Sequence, residues 1–346
     1  MNFHRIALST VLTGLLCASA AAPAGAVTAE LSGSTLLVKG DAASERIVVG
    51  HRTGFDGIQS YTVSAFEASS EVRMDVVPGA GCAPSVFGVN NDDSGMAICD
   101  QTPVQAVVVE GMGGNDELHI EYESALAPRT NKIVVPVRLE GGDGSDEISP
   151  DSGPTVANGG AGSDTIDRRC GPGAATLTGG PGNDGIRACS PNTGDQAGGP
   201  VKVLVGGPGV DNLEGTAGRD RISGGGGFDS ISGHAGSDRL DGGAGPDQLI
   251  GGKGDDRLLG RAGQDGMIDF QGNDVMIGAA GNDAFIAVSN NGSAATGSSR
   301  LAGGAGNDSF TIRNRRRDRA SGGAGRDLAE ADKGDTLRSM EEVVRR

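Results

Sequence analysis

A nine-residue repeat runs without interruption through residues 206–286 of this 346-residue chain. Each copy follows the pattern G-G-x-G-x-D-x-U-x, in which U is an apolar residue. The consecutive copies are GGPGVDNLE, GTAGRDRIS, GGGGFDSIS, GHAGSDRLD, GGAGPDQLI, GGKGDDRLL, GRAGQDGMI, DFQGNDVMI and GAAGNDAFI. Isolated or degenerate copies begin at positions 111, 141, 159, 179, 303 and 322. A fixed period of this kind indicates a solenoid.

The parts of the nonapeptide have separate structural roles. Glycines permit positive φ angles and close backbone approach, so the first six residues can form a tight turn with carbonyl groups facing inward. The last three residues, with one apolar side chain at the centre, can form a short strand that points this side chain into a core. Two nonapeptides therefore close one coil, and its strands stack in parallel on those of the preceding coil. The pattern predicts an all-β fold.

The sixth position of the repeat carries an aspartate, and stacking of coils brings each such carboxylate close to the one eighteen residues away. Carboxylates in such a row repel each other unless a cation compensates them. A hard divalent cation with six to eight oxygen ligands meets this need, because it can take carboxylates from neighbouring turns and carbonyls from the glycine backbone. Calcium fits better than zinc or magnesium, since the ligands are all oxygen and the loops are flexible.

The sequences GGAGSDTI, GGPGNDGI and GGAGNDSF, together with the run at 206–286, closely resemble the RTX, or haemolysin-type, calcium-binding repeats. The resemblance implies a right-handed parallel β-roll with several calcium ions between successive turns. It also implies that the sixth-position aspartates are the metal ligands. In this chain they are Asp116, Asp146, Asp164, Asp184, Asp211, Asp220, Asp229, Asp238, Asp247, Asp256, Asp265, Asp274, Asp283, Asp308 and Asp327.

Some copies depart from the consensus. The segment 269–271 lacks both leading glycines, and His234 and Arg261 replace the second glycine of their repeats. Ala329 is a small residue at a core position. We expect weaker calcium sites near these turns.

Composition limits the partners of the chain. The formal net charge is −16, so phosphates would be repelled over most of the surface, which argues against a nucleic-acid partner. The 62 glycines and the absence of Trp exclude a large aromatic core. We expect calcium as the ligand, with cell-envelope or extracellular glycans as further candidate partners. The oligomeric state is not predicted.

Residues 1–26 have the features of a secretory signal peptide cleaved after Ala26, with an apolar run that is too short to be a permanent membrane anchor. No later segment is long and apolar enough to span a membrane. Lipid attachment at Cys17 is an alternative that Leu15 and Leu16 disfavour, because such processing sites require small residues at these positions. The sequence therefore predicts a secreted, extracellular protein.

Four cysteines remain after cleavage, in a compartment where disulfides persist. Short loop closure favours the pairs Cys82–Cys99 and Cys170–Cys189, although four cysteines allow three connectivities. A zinc site is the competing interpretation, which the absence of C-x-x-C spacing and of nearby histidines disfavours.

We divide the mature chain into a β-rich cap at 27–110, interrupted repeats at 111–205, the continuous roll at 206–286, and terminal repeats with a C-terminal cap at 287–346. Runs of β-favouring residues predict strands in the cap, which would cover the open end of the roll. Segments that break the register are interpreted as loops protruding from the roll. They are 117–140, 185–205 and 286–302.

The resemblance to RTX repeats implies that an enzyme domain could be attached, because such repeats are often joined to enzymes. Neither H-E-x-x-H nor G-x-S-x-G occurs, and the chain has only four histidines. The preferred hypothesis is a non-catalytic calcium-binding protein that folds outside the cell, with a surface or adhesive role. The alternative is a polysaccharide-active enzyme, or its accessory module, carried on the roll, because carboxylate pairs for glycoside chemistry cannot be identified from sequence.

Overall fold

The computed structural model describes twelve segments of the chain. They are residues 27–32, 34–53, 59–67, 76–78, 82–84, 96–100, 104–122, 135–150, 153–168, 173–189, 200–288 and 297–345. Within these segments the regular structure is β-strand throughout. No helix in them is long and apolar enough to cross a membrane.

The strands alternate between two sheets along most of the chain. Those of the N-terminal half are β1 (Val27–Ser32), β2 (Thr35–Lys39), β3 (Glu45–Thr53), β4 (Gln59–Glu67), β5 (Val76–Pro78), β6 (Cys82–Pro84), β7 (Met96–Asp100), β8 (Ala106–Gly113), β9 (Glu117–Tyr122), β10 (Val137–Asp143), β11 (Glu147–Ser149), β12 (Thr155–Ala161), β13 (Thr165–Asp167), β14 (Ala175–Thr178) and β15 (Gly185–Arg187). Those of the C-terminal half are β16 (Lys202–Pro208), β17 (Asn212–Glu214), β18 (Asp220–Gly226), β19 (Ser230–Ala235), β20 (Arg239–Ala244), β21 (Gln248–Lys253), β22 (Arg257–Ala262), β23 (Gly266–Asp269), β24 (Val275–Ala280), β25 (Ala284–Val288), β26 (Arg300–Ala305), β27 (Ser309–Arg313), β28 (Arg319–Ala324), β29 (Leu328–Ala331), β30 (Thr336–Arg338) and β31 (Glu342–Arg345).

From β8 onward, even-numbered strands form the first sheet and odd-numbered strands form the second, all paired in parallel with the strand two places along the chain. Each coil therefore contributes one strand to each sheet. This confirms the predicted parallel β-roll. In the continuous run the pairing offset is eighteen residues, as between Leu213 and Ile231.

The core lies between the two sheets and is built from the apolar residue at the eighth position of each repeat. Ile222, Leu240 and Leu258 are register partners on successive strands of the first sheet, and each is at most 2% exposed. In the second sheet Phe285 and Phe310 stack with their ring centroids 4.6 Å apart. Most strands of the continuous run contribute one inward apolar side chain, which makes a narrow core, so backbone pairing carries much of the order.

The N-terminal region forms the predicted β cap. Strand β2 pairs in parallel with β8, and β3 pairs in parallel with β9, so both sheets of the roll continue into the cap. Beyond them the pairing becomes antiparallel, between β1 and β2 and between β3 and β4. These antiparallel strands cover the sheet edges at this end.

The segments predicted as loops are shorter than expected. Strand β9 and the start of β10 lie within 117–140, and β15 and part of β16 lie within 185–205. Strand β25 likewise extends three residues into 286–302, and β26 begins within it at Arg300. The nonapeptide consensus is absent or incomplete there, but alternating apolar residues such as Leu118 and Ile120 still supply the inward face, and both are buried. The roll thus tolerates coils longer than eighteen residues.

Candidate calcium sites

The turn of each repeat is shaped around its aspartate, as residues 206–211 show. Gly207 has a φ angle of 132° and Gly209 one of 151°, a region that side chains other than glycine rarely enter. Gly206 is required for a different reason. A Cβ atom on Gly206 would collide with Oδ2 of Asp211 and would approach the carbonyl oxygen of Gly224 in the next coil. The first glycine therefore leaves a small space bordered by a carboxylate oxygen and a carbonyl oxygen.

The sixth-position aspartates form two rows, one at each edge of the roll. In the longer row, which we call the long ladder, the backbone N–H of each aspartate donates to Oδ1 of the aspartate in the next coil, at 2.8–3.0 Å. Its members are Asp116, Asp146, Asp164, Asp184, Asp211, Asp229, Asp247, Asp265, Asp283, Asp308 and Asp327.

Glutamates end the long ladder. The N–H of Glu45 donates to Oδ1 of Asp116 at 2.8 Å, and the N–H of Asp327 donates to Oε2 of Glu341 at 2.6 Å. Neither glutamate was predicted as part of the array, because neither lies in a recognisable repeat.

The remaining four predicted aspartates form a short ladder at the opposite edge, with the same bonds at 2.7–3.1 Å. They are Asp220, Asp238, Asp256 and Asp274. The row continues through Ser299, whose N–H donates to Asp318 at 2.7 Å, and then to Asp335. Asp318 and Asp335 were not predicted as ligands, although their distances from neighbouring repeat aspartates are close to nine and eighteen residues and could have indicated them.

The second carboxylate oxygen decides what the ladders can bind. In every member of the long ladder Oδ2 is buried and has no hydrogen-bond partner among the described residues. The same holds for Asp238 and Asp256 in the short ladder. Asp220 differs, since its Oδ2 accepts hydrogen bonds from the N–H and the hydroxyl of Thr216. In Asp274, Oδ2 accepts a hydrogen bond from the Ser299 hydroxyl at 3.2 Å.

Burial without a partner raises the pKa of these carboxyls. It brings the pKa of Asp116, Asp184 and Asp247 to about 7 and that of Asp238 to about 8, against a lowering effect of the backbone hydrogen bond at Oδ1 and with added repulsion from neighbouring carboxylates. An unpaired buried carboxylate is costly to ionise. A cation beside Oδ2 would remove this cost, and the all-oxygen surroundings suit calcium.

The degenerate repeat at 269–277 holds an additional carboxylate. Asp269, at the position of the first glycine, is 2% exposed. Oxygens of Asp256, Asp269 and Asp274 lie within 4.8 Å of one another. Burial and the charges of its two neighbours raise the pKa of Asp269 to about 8. We expected a weaker site at this turn, whereas the structure brings three buried carboxylates together.

Upstream of Asp220 the short-ladder edge carries basic side chains instead of aspartates. Lys202, the register partner of Asp220, is 1% exposed, and its Nζ donates to the carbonyls of Gly173 and Pro200. Arg168 is fully buried and donates to the carbonyls of Gly153 and Gly173. At these turns the inward carbonyls are satisfied by cationic groups of the protein itself.

Arg316 has the same role further along this edge. It is 7% exposed and donates through Nη1 to the carbonyl of Gly272 at 2.9 Å. Its charge also lowers the pKa of Asp274, although burial raises that pKa overall. Residues 313–319 contain five arginines, and of these Arg316 is buried in the roll.

Two of the turns in which another residue replaces the second glycine keep the repeat geometry. His234 has a φ angle of 71° and Arg261 one of 85°, both in the left-handed region. The neighbouring aspartates Asp238 and Asp265 remain in their ladders. These replacements strain the backbone without displacing the carboxylates.

The family model of the RTX calcium-binding nonapeptide repeat matches four stretches, at residues 205–240, 232–267, 270–287 and 289–311. Residues 205–311 contain RTX calcium-binding nonapeptide repeats. The chain therefore carries a calcium-binding β-roll, as the sequence predicted. The RTX turn geometry extends beyond the matched residues, to Asp116 in one direction and Asp327 in the other. No curated protein matches the chain.

The predicted cysteine pairs are described in part. Cys82 and Cys99 are register partners on the antiparallel strands β6 and β7. Cys189 is 3% exposed and follows β15. Cys170 and the predicted signal peptide at 1–26 lie outside the described residues.

Proposed function

We propose that this protein is a secreted, non-catalytic RTX protein whose roll folds when calcium binds outside the cell. The observation that carries the proposal is the array of buried Oδ2 atoms without hydrogen-bond partners along the long ladder. The fifteen predicted aspartates are the proposed ligands, with Asp269 added at the short ladder. Backbone carbonyls beside the first glycines, such as that of Gly224, are the proposed neutral ligands.

Calcium acts in this proposal as a folding ligand. The core gains one apolar side chain per nonapeptide, at about 25 cal/mol per Å² of buried area, while ordering the backbone costs about 1–2 kcal/mol per residue. The unpaired carboxylates add a further cost at neutral pH. Binding of calcium to the folded state alone would offset these costs.

The proposed location follows from the same linkage. With dissociation constants on the order of 10⁻⁴ to 10⁻³ M, typical of extracellular calcium modules, the repeats stay unfolded in a low-calcium cytoplasm and fold after export. The predicted signal peptide at 1–26 supports this route. A surface or adhesive role with extracellular glycans is part of the proposal.

Two disulfides would add to the stability of the exported protein. The register of Cys82 with Cys99 supports the first pair. The second pair is supported by the pairing of β13 with β15, because Cys170 and Cys189 each follow one of these strands within three residues.

The test is a calcium titration of residues 27–346 monitored by circular dichroism, with magnesium as the control. We expect a cooperative gain of β signal with calcium that magnesium does not reproduce. A strong β signal that does not change with calcium would contradict calcium-dependent folding. Isothermal titration calorimetry on the same samples would give the number of ions bound.

A further inference from the structure

A row of arginines lies on the outer face of the first sheet. Arg221, Arg239 and Arg257 are register partners on β18, β20 and β22. After Val275 on β24 the row continues with Arg300 and Arg319 on β26 and β28. All five arginines are exposed. We call this row the arginine stripe; it consists of Arg221, Arg239, Arg257, Arg300 and Arg319.

Several other arginines on the surface of the roll are held in ion pairs. Arg138 pairs with Glu140, Arg187 with Glu214 and Arg313 with Glu330. No ion pair to a stripe arginine is found within the part of the chain that the structure describes. Arg219, Arg315 and Arg317 are also exposed without an ion pair to a described residue, but none of them lies in the register of the stripe.

Asp241, which lies beside the stripe on β20, does not neutralise it. Both its carboxylate oxygens accept hydrogen bonds from Arg261, at 2.8 and 2.6 Å. The carboxylate of Asp241 is therefore already compensated, and Asp255, two residues before Arg257, accepts hydrogen bonds from Asn273. The stripe stays cationic in a chain whose formal net charge is −16.

This arrangement has an energetic cost without a ligand. Like charges directly opposite on neighbouring strands destabilise a sheet. Strands lie about 4.8 Å apart, so the five steps from Arg221 to Arg319 span about 24 Å. A row of anions of this length would attract the five arginines and offset the repulsion between them. Guanidinium groups are well suited to the task, since they bind carboxylates in bidentate geometry.

We propose that the arginine stripe binds a linear acidic polysaccharide whose sugars carry carboxylates. The inference rests on the proposed function, because the stripe comes into register only when the roll is folded. Single-stranded nucleic acid fits less well, since its binding relies on aromatic stacking and the chain has 2 Tyr, 8 Phe and no Trp. A membrane surface also fits less well. The prominently exposed large hydrophobic residues of the described segments all lie outside the six strands of the stripe.

The test uses residues 27–346 in calcium and a fluorescently labelled hyaluronan fragment, which carries a carboxylate on every second sugar. Binding is followed by fluorescence anisotropy. The test variant combines Arg221→Gln, Arg239→Gln and Arg257→Gln. The matched control combines Arg138→Gln, Arg187→Gln and Arg313→Gln, which removes the same charge from arginines that are ion-paired. Circular dichroism of each protein in calcium establishes that the roll has formed.

We expect the wild type and the control to bind, and the stripe variant to bind about tenfold more weakly, since three exposed ion pairs together contribute about this factor. Equal weakening in both variants, or no binding by the folded wild type, would overturn the proposal. Tighter binding to single-stranded DNA or to anionic lipid vesicles than to hyaluronan would overturn the assignment to a polysaccharide. A wild type that gains no β signal with calcium would instead contradict the proposed function.

Discussion

Two substitutions of Asp229 separate the two roles of a ladder aspartate, which are hydrogen-bond acceptor and proposed calcium ligand. Its side chain is fully buried, Oδ1 accepts the N–H of Asp211 at 3.0 Å, and Oδ2 has no hydrogen-bond partner among the described residues. In Asp229→Asn the amide oxygen can still accept the Asp211 N–H, but the charge is lost. In Asp229→Ala both the acceptor and the charge are lost. The two variants therefore differ by one buried hydrogen bond.

The expected magnitudes follow from these contacts. If loss of one charged ligand weakens a calcium site about tenfold, Asp229→Asn lowers the free energy of unfolding in saturating calcium by about 1.4 kcal/mol. Asp229→Ala additionally leaves the buried N–H of Asp211 without its acceptor, at about 1–3 kcal/mol, for a total of about 2–4 kcal/mol. Asp143→Asn is the control, because Asp143 is an exposed carboxylate in the turn of the repeat at 141–149, and it should change stability little.

The assay is urea unfolding followed by circular dichroism at millimolar calcium, with the three variants and the wild type compared at constant ionic strength. Equal losses for Asn and Ala would show that the Oδ1 hydrogen bond contributes nothing. No loss for Asn, or a loss equal to that of the Asp143 control, would show that the Asp229 carboxylate is not a calcium ligand.

Three further predictions concern the other charged groups of the roll. Burial raises the pKa of Asp116, Asp184 and Asp238 to between about 7 and 8, so above about pH 4 the calcium-free folded state binds more protons than the unfolded chain. The stability of the calcium-free fold should therefore fall as the pH rises to about 8. A β signal in calcium-free buffer that does not increase between pH 8 and pH 5 would contradict this. Asp269→Asn should raise the free energy of unfolding without calcium, because it removes one of three clustered charges, and should lower it with calcium. Urea unfolding under both conditions checks this change of sign, and a change of the same sign in both would refute a ligand role for Asp269. Arg316→Met should lower the free energy of unfolding by about 1–3 kcal/mol, because the Gly272 carbonyl loses a buried donor, whereas Arg317→Met at an exposed neighbour should have little effect.

The nonapeptide period made most of the architecture predictable. A fixed period sets the pairing register, so the parallel sheets and the inward position of residues such as Ile231 follow from spacing alone. The N-terminal cap was also confirmed, because its β-favouring runs lead directly into the first repeat. In the roll and in the N-terminal region alike, the strands that the local residue pattern predicts are the strands that pair in the sheets.

Other features depend on contacts that spacing does not encode. The division of the aspartates between two edges is altered by coils of different length, such as the thirty residues between Asp116 and Asp146. Asp269 occupies the place of a glycine, so the consensus gave it no role. The burial of Arg168 and Arg316 follows from turn carbonyls that need donors, and those carbonyls become visible only in three dimensions.

In every hydrogen bond of the long ladder the N–H donor precedes the carboxylate acceptor in the chain, so the two ends of the ladder expose different groups. Each aspartate N–H relies on the coil that follows it in the chain, and the last one relies on Glu341. Truncation from the C-terminus therefore leaves the N–H of a ladder aspartate without its carboxylate acceptor, whereas truncation from the N-terminus removes an aspartate carbonyl that accepts an N–H of the following coil, as Asp211 does for Ser230. In a polypeptide that emerges N-terminus first, the aspartate N–H of the newest coil therefore lacks its acceptor until the next coil has formed.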